Sequence, residues 1–389
     1  MQRSLVKFPL RLVTALFLIS MISQSLHAEK FHVYIGTYTG AKSKGIYLSE
    51  FDSETGELSS ARLVAEVKNP SFLAIHPGGE NLYAVSETGD HKDGDRDSGA
   101  IHAFRIDKTT GDLVALNSVL SGGAAPCHIV VDTAGKHVLT ANYTGGNVSV
   151  TKINAEGHLG QRTAFIQHTG SGPNKRRQES AHAHSINLDE TNRRAFVADL
   201  GLDKVMIYQF DKTDGTLVAN SPPSVSLAAG SGPRHFSFHP NGRFAYVINE
   251  LLLTVTALAY DNESGSLKTL QTVSTLPADI DDRAGMSTAE VLVHSSGKFV
   301  YGSNRGHHSI VVYSINRETG KLTYVENEST QGQTPRNFAI DPTGQFLLAE
   351  NQGTNSIVVF AIDQESGKLS PTDNRIEVGS PVCVRFLAR

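Results

Sequence analysis

From residue 31 to the C-terminus the hydrophobic positions fall into short runs, not into helical stripes. The runs are rich in β-branched and aromatic residues and stop at Asp, Asn, Gly or Pro, the pattern of strands and tight turns. One unit recurs: a run ending in Asp or Asn, a polar turn holding a glycine, and a hydrophobic restart. Its seven copies read FDSETGELSS, IDKTTGDLVA, INAEGHLG, FDKTDGTLVA, YDNESGSLKT, INRETGKLTY and IDQESGKLSP. Their glycines, Gly56, Gly111, Gly157, Gly215, Gly265, Gly320 and Gly367, lie 46 to 58 residues apart. Asp and Asn side chains bond back to a turn backbone and Gly reaches positive φ, so each copy predicts a hairpin.

Between the hairpins lies a second unit, two apolar runs joined by a polar turn: FLAIHPGGENLYAVSE, HIVVDTAGKHVLTAN, INLDETNRRAFVAD, FSFHPNGRFAYVIN, VLVHSSGKFVYGSN and FAIDPTGQFLLAEN. The seventh copy is split. VCVRF (382–386) matches its first run and FHVYIGTY (31–38) its second. Four strands in each of seven repeats predict an all-β fold, a seven-bladed β-propeller with four-stranded blades. One such sheet cannot bury both faces, whereas stacked neighbours do. The split copy predicts that the C-terminal strand joins the N-terminal blade and closes the ring without a free edge. Two tandem β-sandwiches leave the repeat period unexplained. The chain has no Trp, which excludes the WD40 form.

The first 28 residues break the pattern. Arg3, Lys7 and Arg11 flank or precede the apolar stretch LVTALFLISMI (12–22), and SLHA ends in a small residue. This is the layout of a secretory signal cleaved after Ala28, the stretch being short for a spanning helix; an uncleaved anchor is the alternative. The expected division is a signal peptide over 1–28 and one propeller domain over 29–389. The mature protein is then exported, periplasmic or extracellular, and free of the membrane. Net charge is −4, and the scattered charges leave no nucleic-acid footprint. Nothing in the pattern calls for an oligomer, so a monomer is expected. Cys127 falls in the third blade and Cys383 in the first, with the second between them. A disulfide needs α-carbons within roughly 7 Å, so two free thiols are expected.

Candidate chemistry emerges when the repeats are aligned on Tyr83, Leu139, Phe196, Tyr246, Tyr301 and Leu348. Phe72, His128, Ser185, His235, Glu290, Asn337 and Cys383 then share one position. The position before it includes His184, Arg234 and Arg336. Glu87, Glu250, Arg305 and Gln352 follow the second run, and Asn142, Asp199, Asn249, Asn304 and Asn351 come one residue earlier. A repeat frame has no need of His, Arg and Glu at matching strand ends. Their coincidence predicts one channel mouth lined by His128, His184, Arg234, His235, Glu250, Glu290, Arg305 and Arg336. The alternative is a polar plug whose members bond to one another and to channel water.

The stretch GSGPNKRRQESAHAHS (170–185) shares Gly-Ser-Gly-Pro with residues 230–233 and adds a basic insertion. Insertions in repeat folds map to one face, often the binding face. Lys175, Arg176 and Arg177 are candidates to contact a substrate phosphate or carboxylate, against the reading of a solvated loop. His182 and His184 alternate at a strand start and so point the same way. No motif marks a third ligand beside them, so neither a metal nor another cofactor is expected.

At NKRRQESAHAHS, GSGPRHFSFHPNGRFAYVINEL, AEVLVHSSGKFVYGSNRG and TPRNFAIDPTGQFLLAENQ the chain resembles the seven-bladed lactonase family. That family includes the propeller type of 6-phosphogluconolactonase and the fungal 3-carboxy-cis,cis-muconate lactonizing enzyme. The resemblance covers essentially all of the mature chain, and the Gly-Pro-Arg-His…Asn-Glu and Ser-x-Arg-Gly blocks are its specific part. It implies a sugar-lactone hydrolase or a lactone-forming cycloisomerase, acting on a small lactone or organic acid. By motif, the muconate enzyme's His, two Arg and Glu fall on His184, Arg234, Arg305 and Glu250. On this basis Glu250 or His184 is the expected general base, and Arg234 and Arg305 hold an oxyanion or a carboxylate. His128, His182, His235, Glu290, Arg336, Lys175 and Arg177 are the expected binding residues. 6-Phosphogluconolactone is cytosolic, so the export signal shifts the expected substrate to an unphosphorylated lactone such as gluconolactone. A noncatalytic exported propeller that binds a glycan or protein is the alternative from another class.

Overall fold

The computed structural model describes residues 2 and 29–389; the expected signal peptide lies outside the described residues. Among those described are 28 strands and no helix, hence none long and apolar enough to cross a membrane. The strands form seven four-stranded antiparallel sheets. Blades 2 to 7 span 73–120, 126–167, 183–226, 233–274, 287–329 and 335–377. Blade 1 joins Lys30–Thr37, Gly45–Asp52 and Arg62–Glu66 to the C-terminal strand Pro381–Ala388. That last strand is its innermost one and pairs with Lys30–Thr37. The split repeat thus closes the ring as the sequence predicted.

Local turn chemistry explains the hairpins. All seven hairpin glycines sit at φ between 70° and 84°, where a Cβ is strained. In the blade 2 turn, Asp107 Oδ1 accepts hydrogen bonds from the Thr109 and Thr110 amides, each 2.9 Å. The aligned tyrosines then stitch blades together. Tyr34, Tyr83, Tyr246 and Tyr301 each donate a hydroxyl to the hairpin-glycine carbonyl of the next blade, at 2.8–3.1 Å.

No blade has a core of its own. Leu139, Ala141, Val148 and Val150 of blade 3 pack on Ala183, Ile186, Ala195 and Val197 of blade 4. Similar layers fill the other interfaces. Each Leu, Ile or Val among them contributes about 1.5–3 kcal/mol on burial, and only stacking supplies that burial. Cys127 and Cys383 are buried free thiols, as expected.

The aligned register is the observed one. His128, His235 and Asn337 on the innermost strands pair with Ala141, Ile248 and Glu350, each two residues past the aligned Leu139, Tyr246 or Leu348. The preceding residue is a bulge. Cys127, His184, Arg234 and Arg336 are each skipped by the ladder of their blade. A bulge bends the strand and re-aims the extra side chain. The asparagines at the second-strand ends belong to the frame: Asn142, Asn304 and Asn351 donate Nδ2 to the Ser121, Thr275 and Thr330 carbonyls of the loops between blades.

Candidate active site

The Glu250 carboxylate is the centre of the charged cluster. Glu250 follows the second strand of blade 5, where its amide donates to the Gly232 carbonyl at 2.7 Å. Its Oε1 accepts from Arg177 Nη2 at 2.6 Å. Its Oε2 lies 3.1 Å from Arg234 Nε and 3.1 Å from Arg305 Nη2. Burial alone would raise this carboxyl, but Arg305, Arg234 and Arg177 outweigh it and hold the pKa at about 2. Arg234 and Arg305 are fixed further by Nη bonds to the Ala289 and Thr288 carbonyls, each 2.7 Å. Among the described residues Arg305 Nε is buried without a hydrogen-bond acceptor, and Arg234 Nε has only the close but poorly aligned Glu250 Oε2. A buried unpaired donor is costly, and such sites are where ligands supply the missing acceptor.

His184, on the blade 4 bulge, lies beside this cluster. Its ring packs edge-on to Tyr143 and His235, with centroids 5.2 and 5.4 Å away. Burial, then the charge of Arg234, pushes its pKa well below the ordinary value, so the imidazole is neutral at pH 7. Its Nδ1 is 3.7 Å from Cys127 Sγ. Burial raises the Cys127 thiol pKa, which removes it as a thiolate nucleophile.

Arg336, on the blade 7 bulge, lies over the Tyr38 ring at 5.2 Å. Tyr38 OH donates to Glu87 Oε2 at 2.7 Å, and the Ser71 hydroxyl donates to the same oxygen. The Arg336 guanidinium itself makes no hydrogen bond among the described residues.

Below lies a floor. Glu290 accepts from Asn337 Nδ2 at 2.5 Å and pairs with His235 Nδ1 at 2.8 Å. The His128 ring stacks near Phe72, 4.2 Å away, and meets His235 edge-on at 5.3 Å. Beyond it the channel opens into a cavity of about 490 Å³ that His128, His235 and Glu290 help line. The predicted eight residues therefore divide into two layers: His184, Arg234, Glu250, Arg305 and Arg336 above, His128, His235 and Glu290 as the floor.

The insertion before blade 4 is a compact strap. Gln178 Nε2 ties it to the Leu200 carbonyl at 2.8 Å and to Asp203 Oδ1 at 2.7 Å. Only Arg177 of its basic run enters the cluster; Lys175 and Arg176 are exposed and make no ion pair among the described residues. His182 stacks on Tyr143 at 4.6 Å, and its two nitrogens face the Tyr143 carbonyl and Glu179. It builds the wall behind His184.

A family model described as lactonase, 7-bladed beta-propeller, matches residues 32–386. The chain belongs to this lactonase family. It is 40% identical over 358 residues to the 6-phosphogluconolactonase of Bacillus subtilis, covering 92% of this chain and 99% of that protein. The 6-phosphogluconolactonase of Formosa agariphila is 37% identical over 314 residues, 80% of this chain and 86% of the relative. Among solved structures, the periplasmic gluconolactonase of Pseudomonas aeruginosa superposes with a TM-score of 0.85 at 32% identity, covering 92% and 99% of the two chains.

In this lactonase the arrangement suits acyl chemistry. Fixed guanidiniums stand beside a neutral imidazole, and no cluster of three His, Cys, Asp or Glu among the described residues is placed to hold a metal. Glu250, with its carboxylate held by three cations, is ionised and only weakly basic. Sequence reasoning missed Tyr38 and Tyr143. Both occupy the column of Glu250 and Arg305, directly after a second strand, so widening that column from charged to hydrogen-bonding residues would have found them.

Proposed function

We propose that this lactonase hydrolyses an unphosphorylated sugar lactone, of the gluconolactone type, at the mouth formed by Arg177, His184, Arg234, Glu250, Arg305 and Arg336. The observation that carries the reading is the buried pair of guanidiniums, Arg234 and Arg305, fixed by backbone carbonyls beside the neutral imidazole of His184. A lactone carbonyl oxygen gains negative charge as water adds, and donors fixed in advance stabilise that charge more than the ground state. Arg336, with no hydrogen bond among the described residues, is offered to the polar edge of the sugar ring. The names of the relatives favour sugar lactones. The leader-like residues 1–28, together with the likeness to a periplasmic gluconolactonase, favour an exported protein and a substrate without phosphate.

The test is pH-stat titration of acid release from glucono-δ-lactone and its 6-phosphate, each corrected for hydrolysis in buffer. The expected result is turnover of both, with the larger kcat/KM on the unphosphorylated lactone. No acceleration on either sinks the hydrolase reading. A larger kcat/KM on the phosphate overturns the substrate choice alone.

A further inference from the structure

Glu250 is committed to three guanidiniums and His184 has no carboxylate to support an imidazolium, so the base of the reaction is sought one layer down. Glu290 has both oxygens occupied. Oε1 faces His235 Nδ1 at 2.8 Å and the Val291 amide at 2.9 Å, and Oε2 accepts from Asn337 at 2.5 Å. Burial would raise this carboxyl, but His235 and then Arg234 hold it below its ordinary value, so it is ionised. An ionised carboxylate only accepts, so Nδ1 of His235 carries the proton and Nε2 bears the lone pair. Nε2 makes no hydrogen bond to the described residues, and the His235 side chain lines space on both sides of the floor. The other His–carboxylate pairs with a buried histidine near this mouth are spent: His182 has both nitrogens engaged, and His168 bonds Asp199 through Nδ1 and Tyr208 through Nε2.

His235 also borders a cleft on the mouth side, shared with Ser71, Glu87, Cys127, Arg234 and Arg336. The cleft volume is about 10 Å³, close to what a single water requires. Two guanidiniums and two oxygen-bearing side chains give that water partners.

We propose that the His235–Glu290 pair is the base of this lactonase, taking a proton from a water seated in the cleft between Arg234, Arg336 and His235. The proposal rests on the lactone-hydrolase reading above. In the forward step the water oxygen bonds to the lactone carbonyl carbon while Nε2 takes its proton and the carbonyl π electrons move to oxygen. The oxyanion collapses, the ring C–O bond breaks, and the proton on Nε2 passes to the leaving alkoxide. One lactone and one water give one hydroxy acid. Glu290 supports the imidazolium that forms between the two steps and fixes the tautomer before them. The charges that face His235 are Glu290, Arg234 and Arg336, and its ring neighbours are Phe72, His128 and His184. Burial lowers its pKa and Glu290 opposes that shift.

The experiment is the pH profile of kcat/KM for the full chain and for Glu290→Gln and His184→Gln, with thermal midpoints to check folding. Glu290→Gln preserves volume and removes the charge that raises His235. Its acid limb is expected to move to lower pH while kcat falls by about 10²–10⁴-fold, the range of general base catalysis. His184→Gln is expected to lower the rate and leave the acid limb in place. A Glu290→Gln profile that coincides with wild type overturns the proposal, as does loss of the limb in His184→Gln. His235→Gln gives an independent check: a folded variant within about threefold of wild-type kcat also overturns it. Absence of turnover by the wild type would instead show that the hydrolase reading itself had failed.

Discussion

Arg177 Nη2 lies 2.6 Å from Glu250 Oε1, joining the strap before blade 4 to the end of the second strand of blade 5. The arginine side chain is 40% exposed and the glutamate side chain 4%. The contact therefore roofs a buried carboxylate with a residue that solvent still reaches. Removing it frees one carboxylate oxygen and leaves Arg234 and Arg305 in place. Arg177→Ala is expected to lower kcat/KM by about tenfold, chiefly through KM, because the roof over the mouth loosens while Arg234 and Arg305 stay in place. Steady-state kinetics on glucono-δ-lactone check this, and an unchanged KM counts against a role for the strap in binding.

Glu250 links the cluster to acid stability. Its pKa is held at about 2 in the folded protein, below its unfolded value. The stabilisation is then complete above the unfolded pKa and is lost as pH falls towards 2. Its size is on the order of 3 kcal/mol. Glu250→Gln is expected to melt several degrees below wild type at pH 7, with the gap closing between about pH 4.5 and 2. Calorimetry across that range is the measurement; a gap independent of pH contradicts the clamp.

Two arginines are expected to fail differently. Arg234 is a buried, fixed guanidinium beside His184, so Arg234→Ala is expected to cost about 10²–10³-fold in kcat. Arg336 lies on Tyr38 with no hydrogen bond among the described residues, so Arg336→Ala is expected to raise KM and leave kcat within about threefold. Wild-type rates from a folded Arg234→Ala would remove this mouth as the site.

Glu350 is a liability that the mouth does not use. Both its oxygens are buried without a hydrogen-bond partner among the described residues, and burial raises its pKa well above the ordinary value, against the pull of Arg385. The folded state thus keeps a proton that the unfolded chain releases. Its contribution is intact below the unfolded pKa and declines as pH rises towards the folded one. Glu350→Gln, which needs no proton, is expected to raise Tm by about 2–4 °C at pH 7 and to make little difference at pH 4. Equal shifts at both pH values would point to packing, not ionisation.

The frame was legible because its causes are local. The Asp or Asn to Gly turns dictate hairpins through side-chain bonding and positive φ, and the split copy dictates where the ring closes. The alignment columns were legible too, since register follows from period-two alternation. They gathered His184, Arg234, Glu250 and Arg305, and they also put His128, His235 and Glu290 in the same layer. A pairing column cannot show that a bulge turns His184 and Arg234 towards the mouth while the next residue forms the floor. Nor can it show that Arg177 and not Lys175 enters the mouth, because the strap's path depends on Gln178 finding Asp203.

By itself, then, the sequence determined seven four-stranded blades, their hairpins, the closing strand and the two free thiols, all consequences of turn chemistry, alternation and spacing. Only the tertiary structure decided the protonation of the site. Glu250 is ionised because guanidiniums from the strap, blade 5 and blade 6 converge on it, and His235 is oriented because a carboxylate from the neighbouring blade reaches Nδ1. Those energies depend on distances and burial across blades, which no single stretch of chain encodes.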